Sequence, residues 1–486
     1  MRKGDKQQGQ GDSRRHCLFI RRVNWTYEFN IFNIIPIMHT SRLFRFFAFW
    51  ATGFCMALTI SSLIPPLQSP DEDSHLMRAA MISQGHISLG KVDPRSSGAL
   101  IDEGLLMFSE MYLTTVVVNS EARLSPTAIK EIEQITWTGR YGYAALPGAG
   151  YYLPAIYTPQ AAGFWAGRSL NMSIANTYRL VRLCTLLAST GLLALAFTLM
   201  PPNPLSLGLI VLPMTLFQLS SPTVDGTTTG LAVLALSAFM SSLVRGSAAL
   251  SITLAVACLL VATTRIHMMP LLVLPIFLGF RNHSRRDFVL GGSAVILAIS
   301  WVYFALASTV DSRVQRASTT GELVWRYLTH PADFIAVVGR SLADDELARF
   351  YGESFIGILG WLDTRLPLYF YPMLWAALGA VTLSTIRVKT LHEDWAARSL
   401  LLAIAIASAA LVFFAMLVTW TPVPAVTIKG VQGRYFLGPA LVLSFALSGQ
   451  SAFVPPALRW WRWATLGVLG CLSTTALAIT LWARYH

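Results

Sequence analysis

Windows of about twenty consecutive apolar residues recur along this chain of 486 residues, and they leave it few folds. In hydrocarbon every backbone N–H and C=O must find a partner inside the protein, so helices or a closed barrel are the only spanning structures. The windows lie near residues 44–64, 177–199, 205–221, 227–244, 248–263, 266–280, 287–309, 367–386, 397–419, 434–449 and 463–482. They predict an all-α membrane protein with about eleven transmembrane helices, residues 44–486 forming one polytopic membrane domain. Apolar residues make up 54% of the chain and charged residues 13%, proportions that exclude an ordinary soluble globule.

The formal net charge is +12, yet the basic residues are scattered through short connections rather than gathered in a patch. That distribution excludes a nucleic-acid partner and fits the positive-inside rule. With a cytoplasmic N-terminus, the inside loops hold Arg245, then Arg281, Arg285 and Arg286, then Arg387, Lys389 and Arg398, then Arg459 and Arg462. Residues 1–43 read as a basic cytoplasmic segment without the pattern of a cleavable signal peptide, and Met38 is an alternative start. Cys55, Cys184, Cys258 and Cys471 fall in apolar windows and Cys17 in the leader, with neither metal-type nor paired spacing.

Two connections, about 65–176 and 310–366, are far longer than the rest. The topology puts both outside the cytoplasm, where loops of this size usually carry function. Short helices are expected within them. The stretch Tyr151–Leu170 alternates aromatic, proline and small apolar residues, as expected of a segment lying along the membrane interface or re-entering it, or of a simple tether to the bilayer.

The same topology places Asp71, Glu72, Asp225, Arg265 and Arg434 on the extracytoplasmic side, each close to the end of a span. One alone would pass for a solvated loop residue; five on one face of a charge-poor chain point to a shared aqueous cavity. In a helix starting near Pro70, Asp71, His75 and Arg78 share a face with Glu72 alongside, an arrangement that suits a general base and its supports, or an acidic helix cap. Arg265, and Arg434 between flanking glycine and aromatic residues, offer planar forks for phosphate oxygens, or snorkel at the interface. Arg182, one turn from Arg179, is a further candidate for that task. Asp225 opens a span and is read as a substrate or metal ligand, or as a cap. No Walker loop, dinucleotide fingerprint, zinc motif or nucleophile elbow is present.

The run Pro70-Asp71-Glu72 with His75 and Arg78, then Tyr157-Thr158-Pro159-Gln160 with Gly167-Arg168, then Pro213-Met214 with Asp225, then Gln432-Gly433-Arg434-Tyr435, forms an ordered set. It resembles the bacterial membrane family of domain of unknown function 2142 across about residues 44–450, a family itself similar to GT-C glycosyltransferases. The resemblance implies a GT-C-like multi-pass protein of the bacterial inner membrane. It also implies transfer of a sugar from a polyprenyl-phosphate-linked donor to a cell-envelope glycan or lipid acceptor on the extracytoplasmic face. On that reading Asp71 and Glu72 are catalytic; His75, Arg78, Tyr157, Gln160, Asp225 and Gln432 face substrate; Arg434, Arg265 and Arg182 face phosphate. Arg265 departs from the lysine expected in relatives, which keeps charge and changes geometry. A divalent cation, Mg or Mn, on Asp71, Glu72 or Asp225 is left open. The alternatives are a transporter or flippase for a lipid-linked glycan, and an envelope-assembly protein that would tolerate changes at Asp71 and Arg434.

Overall fold

A computed structural model describes residues 42–486 apart from 94, 118–122, 124, 312, 314–317, 387–393 and 449–455. The basic leader with Cys17 and Met38, and the inside-loop residues Arg387 and Lys389, lie outside the described residues.

The chain enters through α1 (Arg42–Ser62) and then builds an outer layer before returning to the bundle. That layer holds α2 (Glu72–Ser83), β1 (Gly90–Asp93), β2 (Ser96–Asp102), α3 (Glu103–Tyr112), α4 (Pro126–Glu133), β3 (Tyr141–Ala145) and α5 (Thr158–Ser169). The three strands form one antiparallel sheet in the order β1-β2-β3, with Gly98 opposite Ala145 and Asp102 opposite Tyr141. The sequence leads one to expect helices alone here. Close approach of the strands makes the difference, since a side chain at Gly98 would overlap the Ala144 carbonyl. Within the stretch 151–170, α5 packs on α6 (Ile174–Leu199), with Gly163 against Val181 and Gly167 against Thr177.

The bundle continues with α7 (Pro204–Ile210), α8 (Pro213–Leu219), α9 (Val224–Ser242), α10 (Ala248–Thr264), α11 (Val273–Asn282) and α12 (Arg285–Ser308). The second long connection folds as α13 (Thr320–Thr329), α14 (Pro331–Ala343), α15 (Asp345–Gly357) and the two-stranded β4 (Ile358–Leu359) and β5 (Thr364–Arg365). The fold closes with α16 (Phe370–Thr385), α17 (Trp395–Thr419), α18 (Leu437–Leu447) and α19 (Pro456–Tyr485).

Among the described residues five helices are long and apolar enough to cross a membrane: Ile174–Leu199, Val224–Ser242, Arg285–Ser308, Trp395–Thr419 and Leu458–Tyr485. Phe46–Ser62, Ala248–Thr264, Ile266–Asn282, Phe370–Thr385 and Gly433–Leu447 are shorter apolar helices, below the roughly 20 residues a straight crossing needs. The expected span at 205–221 is broken in two. Pro213 supplies no N–H and forces Leu212 to an extended backbone (ψ 146°), so α7 ends and α8 begins afresh. Of the five long helices α9 is the most enclosed, 94% of its apolar window being buried, whereas for α12 the figure is 22%. The N-terminal turn of α9, which carries Asp225, is itself buried.

Candidate functional site: a cleft of alternating charge

The site begins with the turn that follows α1. Leu67 and Asp71 both adopt left-handed backbone (φ 64° and 62°), which is uncommon for aspartate and strained for leucine. The turn is held from within. The Leu67 and Ser69 N–H groups donate to the two oxygens of Glu72, each at 3.0 Å, and the Tyr178 hydroxyl of α6 donates to the same carboxylate. Trp361 Nε1 donates to the Leu67 carbonyl at 2.9 Å. Arg182, also on α6, donates to the carbonyls of Ser61, Ile64 and Pro65, at and just beyond the end of α1.

This apparatus presents Asp71 outward. Asp71 stands at the N-cap of α2 without making a capping hydrogen bond, and its side chain is 60% exposed. Arg434 Nη2 donates to Asp71 Oδ2 at 3.3 Å, and Arg434 Nη1 lies 3.6 Å from Asp225 Oδ2. Arg265 pairs with the other oxygen of Asp225, and Arg434 Nε donates to Gln432 Oε1 at 2.6 Å. Thr223, not Asp225, caps α9, which leaves the Asp225 carboxylate for the two guanidinium groups. Asp71, Asp225, Arg265 and Arg434 come from four separate parts of the chain and alternate in sign.

Below them is a cavity of about 40 Å³, enough for two or three waters. Its upper wall is polar, with Gln218, Thr228, His267 and Tyr435 beside the charges; its lower wall is Ala232, Val261, Leu437 and Leu441. Burial raises the pKa of Asp71, but the charges of Arg434, His75 and Arg265 outweigh it and hold the carboxyl below its usual range.

His75 backs this cleft. Its Nδ1 shares a 2.9 Å hydrogen bond with the Tyr157 hydroxyl, and its ring lies 5.4 Å from that of Tyr152, over which Arg265 sits at 5.9 Å. Burial lowers the His75 pKa to about 4; the Asp71 carboxylate pulls it up, and Arg265 and Arg434 push it down again. Burial also raises both tyrosine hydroxyls. The folded protein thus keeps His75 neutral where an unfolded chain protonates it. Between pH 6.5 and about 4 the unfolded state binds the extra proton, so stability falls as pH falls through that window and is unaffected above it. Melting curves from pH 7.5 to 4.5 are expected to show this slope, at most about 1.4 kcal/mol per pH unit, and His75→Gln is expected to lack it. An equal slope in the variant would rule His75 out as its source.

The structure separates other residues that the sequence places together. Glu72 faces inward to the turn. Arg78, 1% exposed, donates to the Ile87 carbonyl at 2.6 Å rather than reaching the cleft, so the helix face shared by 71, 75 and 78 does not make one pocket. Gln160 donates to the Thr223 carbonyl at 3.2 Å and ties α5 to the turn before α9. Arg182 commits its guanidinium to α1. Conversely Tyr152, Gln218, His267 and Tyr435 join the site although their sequence context does not single them out. Tyr152 lies in a run that reads as interfacial, and Gln218 and Tyr435 stand inside motifs whose other members carry the charge. Among the described residues no group of three or more His, Cys, Asp or Glu side chains is disposed to hold a metal ion. Arg434 stands between the carboxylates of Asp71 and Asp225, and Glu72 is engaged elsewhere, so those three acids do not fit a shared divalent cation.

Arg434 is aimed by a close backbone contact. A side chain at Gly433 would overlap the Phe355 nitrogen and the Tyr351 carbonyl, main-chain atoms of α15 that cannot swing aside, and Gly433 N donates to Ser354 Oγ at 2.7 Å. Gly433→Ala is expected to displace the Arg434 turn and destabilise the protein by about 2 kcal/mol, read as a lowered melting temperature. A wild-type melting curve would show that α15 yields.

The family model described as "Predicted membrane protein (DUF2142)" matches residues 54–443, and the chain belongs to that family. Comparisons with curated proteins and with solved structures return no match.

Proposed function

We propose that this is a GT-C-like glycosyltransferase of the bacterial inner membrane. It transfers a sugar from a polyprenyl-phosphate-linked donor to a cell-envelope glycan or lipid acceptor on the extracytoplasmic face. The N-terminus is cytoplasmic on this reading, and about eleven segments cross, some of them short or broken. The observation that carries the proposal is the cleft itself: an exposed carboxylate over two arginines, with an apolar wall beneath them. A polyprenyl phosphate has that same order of polarity.

In the reaction an acceptor hydroxyl attacks the anomeric carbon, the new C–O bond forms as the bond to the phosphate oxygen breaks, and Asp71 takes the hydroxyl proton. The phosphate leaves toward Arg434 and Arg265, which Asp225 orients. Guanidinium forks meet phosphate oxygens in pairs, and removing a donor of this kind costs about 3 kcal/mol of transition-state stabilisation. Arg434 also times the base. Paired with it, Asp71 is ionised but weakly basic; once phosphate engages Arg434, that restraint on the carboxylate is relieved and its proton affinity rises.

Deleting the gene and analysing both surface polysaccharide and lipid-linked sugars tests the reading. A missing sugar in the polysaccharide together with accumulated polyprenyl-phosphate sugar on the outer leaflet is expected. Accumulation on the inner leaflet would identify a flippase instead, and unchanged polysaccharide would end the proposal.

A further inference from the structure

The geometry points to a second membrane contact outside the bundle: the outward stripe of α13 and α14 docks on the lipid of the outer leaflet. This inference rests on the topology of the proposed function but not on its transfer chemistry. Helix α14 has two apolar faces. One is buried, with Val337 at 4% exposure, and Phe334 packs 5.6 Å from the Phe414 ring of α17. The other consists of Ala332, Ile335, Ala336, Gly339, Leu342 and Ala343, all exposed, at spacings of three and four residues that line up along the helix. Ile335 is 67% and Leu342 52% exposed, and α13 extends the stripe with Trp325 at 71% and Leu328 at 64%.

A water-facing helix would place polar residues in that sector, and α14 has none there. Its charged residues lie along one edge, where Asp333 meets Arg326 at 3.8 Å and Arg340 donates to the Val426 carbonyl at 2.9 Å. The level of the stripe follows from Phe414. This residue precedes the end of α17 by five positions, about 8 Å of helix, so α14 lies beside the outer end of a helix apolar enough to span. That is the boundary of headgroups and acyl chains, where exposed aliphatic residues and a tryptophan are favoured. The lipid-facing side of α17, with Ile406 at 62% exposure, continues toward it.

Single cysteines replacing Ile335, Leu342 or, as a control, Lys130 on exposed α4 test this, with accessible natural cysteines changed to alanine. The full chain is labelled with an environment-sensitive fluorophore and reconstituted in vesicles of phosphatidylcholine and phosphatidylglycerol. The expected result is several-fold stronger quenching by doxyl-labelled phosphatidylcholine at 335 and 342 than at 130, with the reverse order for aqueous iodide. Iodide quenching at 335 and 342 equal to that at 130 would overturn the assignment. So would protection that disappears when the protein is diluted in lipid, because the stripe would then be covered by a second copy of the chain.

Discussion

On the proposed reaction, Asp71→Asn is expected to lower sugar transfer by about 10²–10⁴-fold, the range for loss of a general base, while leaving the protein as abundant and as heat-stable as the wild type. The change is nearly isosteric, and asparagine accepts the left-handed backbone at φ 62° as readily as aspartate does. No capping hydrogen bond is lost, because Asp71 makes none. The ion pair with Arg434 is removed, but at 60% side-chain exposure it contributes little to folding. Arg434 keeps Asp225 and Gln432 as partners and is freed toward the donor phosphate. The KM for donor is therefore expected to stay level or fall while kcat collapses. Initial rates in proteoliposomes, at saturating and at limiting donor, separate the two constants. Equal kcat in both proteins would remove Asp71 from the chemistry.

What the sequence makes legible divides along a physical line. Long apolar runs are local, so they reveal helix positions, and the sidedness of span ends is enough to gather Asp71, Asp225, Arg265 and Arg434 on one face. Features set by backbone direction stay hidden. Nothing in Pro70-Asp71-Glu72 announces that Asp71 turns left-handed, yet that one dihedral sends two adjacent carboxylates to opposite sides of the turn. Arg182 reads as a ligand because a cation at an outer helix end suits phosphate; carbonyls in the turn after α1, more than a hundred residues earlier in sequence, take it instead. The sheet of the first long connection escapes notice because its strands are short and held by close contacts at Gly98 rather than by alternating hydrophobicity.

The opposite fate of Glu72 gives the second large effect, and it is one of stability. Burial raises the Glu72 pKa, and Arg182 with the hydrogen bonds from Tyr178, Ser69 and Leu67 offsets this only in part. Glu72→Ala recovers that desolvation but strands two backbone N–H groups and a tyrosine hydroxyl where water does not reach. A buried donor left unpaired costs about 1–3 kcal/mol. The net loss is expected to be about 3 kcal/mol, because the turn also keeps Leu67 in a left-handed conformation that it would otherwise leave. Glu72→Gln should fall between, since its amide nitrogen meets one donor with another. Melting temperature and monodispersity in detergent are the readouts. If Glu72→Ala melts with the wild type while transfer is lost, the carboxylate has a chemical role and its clasp on the turn is incidental; if stability falls and the surviving folded fraction still transfers sugar, the two neighbouring acids divide structure from chemistry.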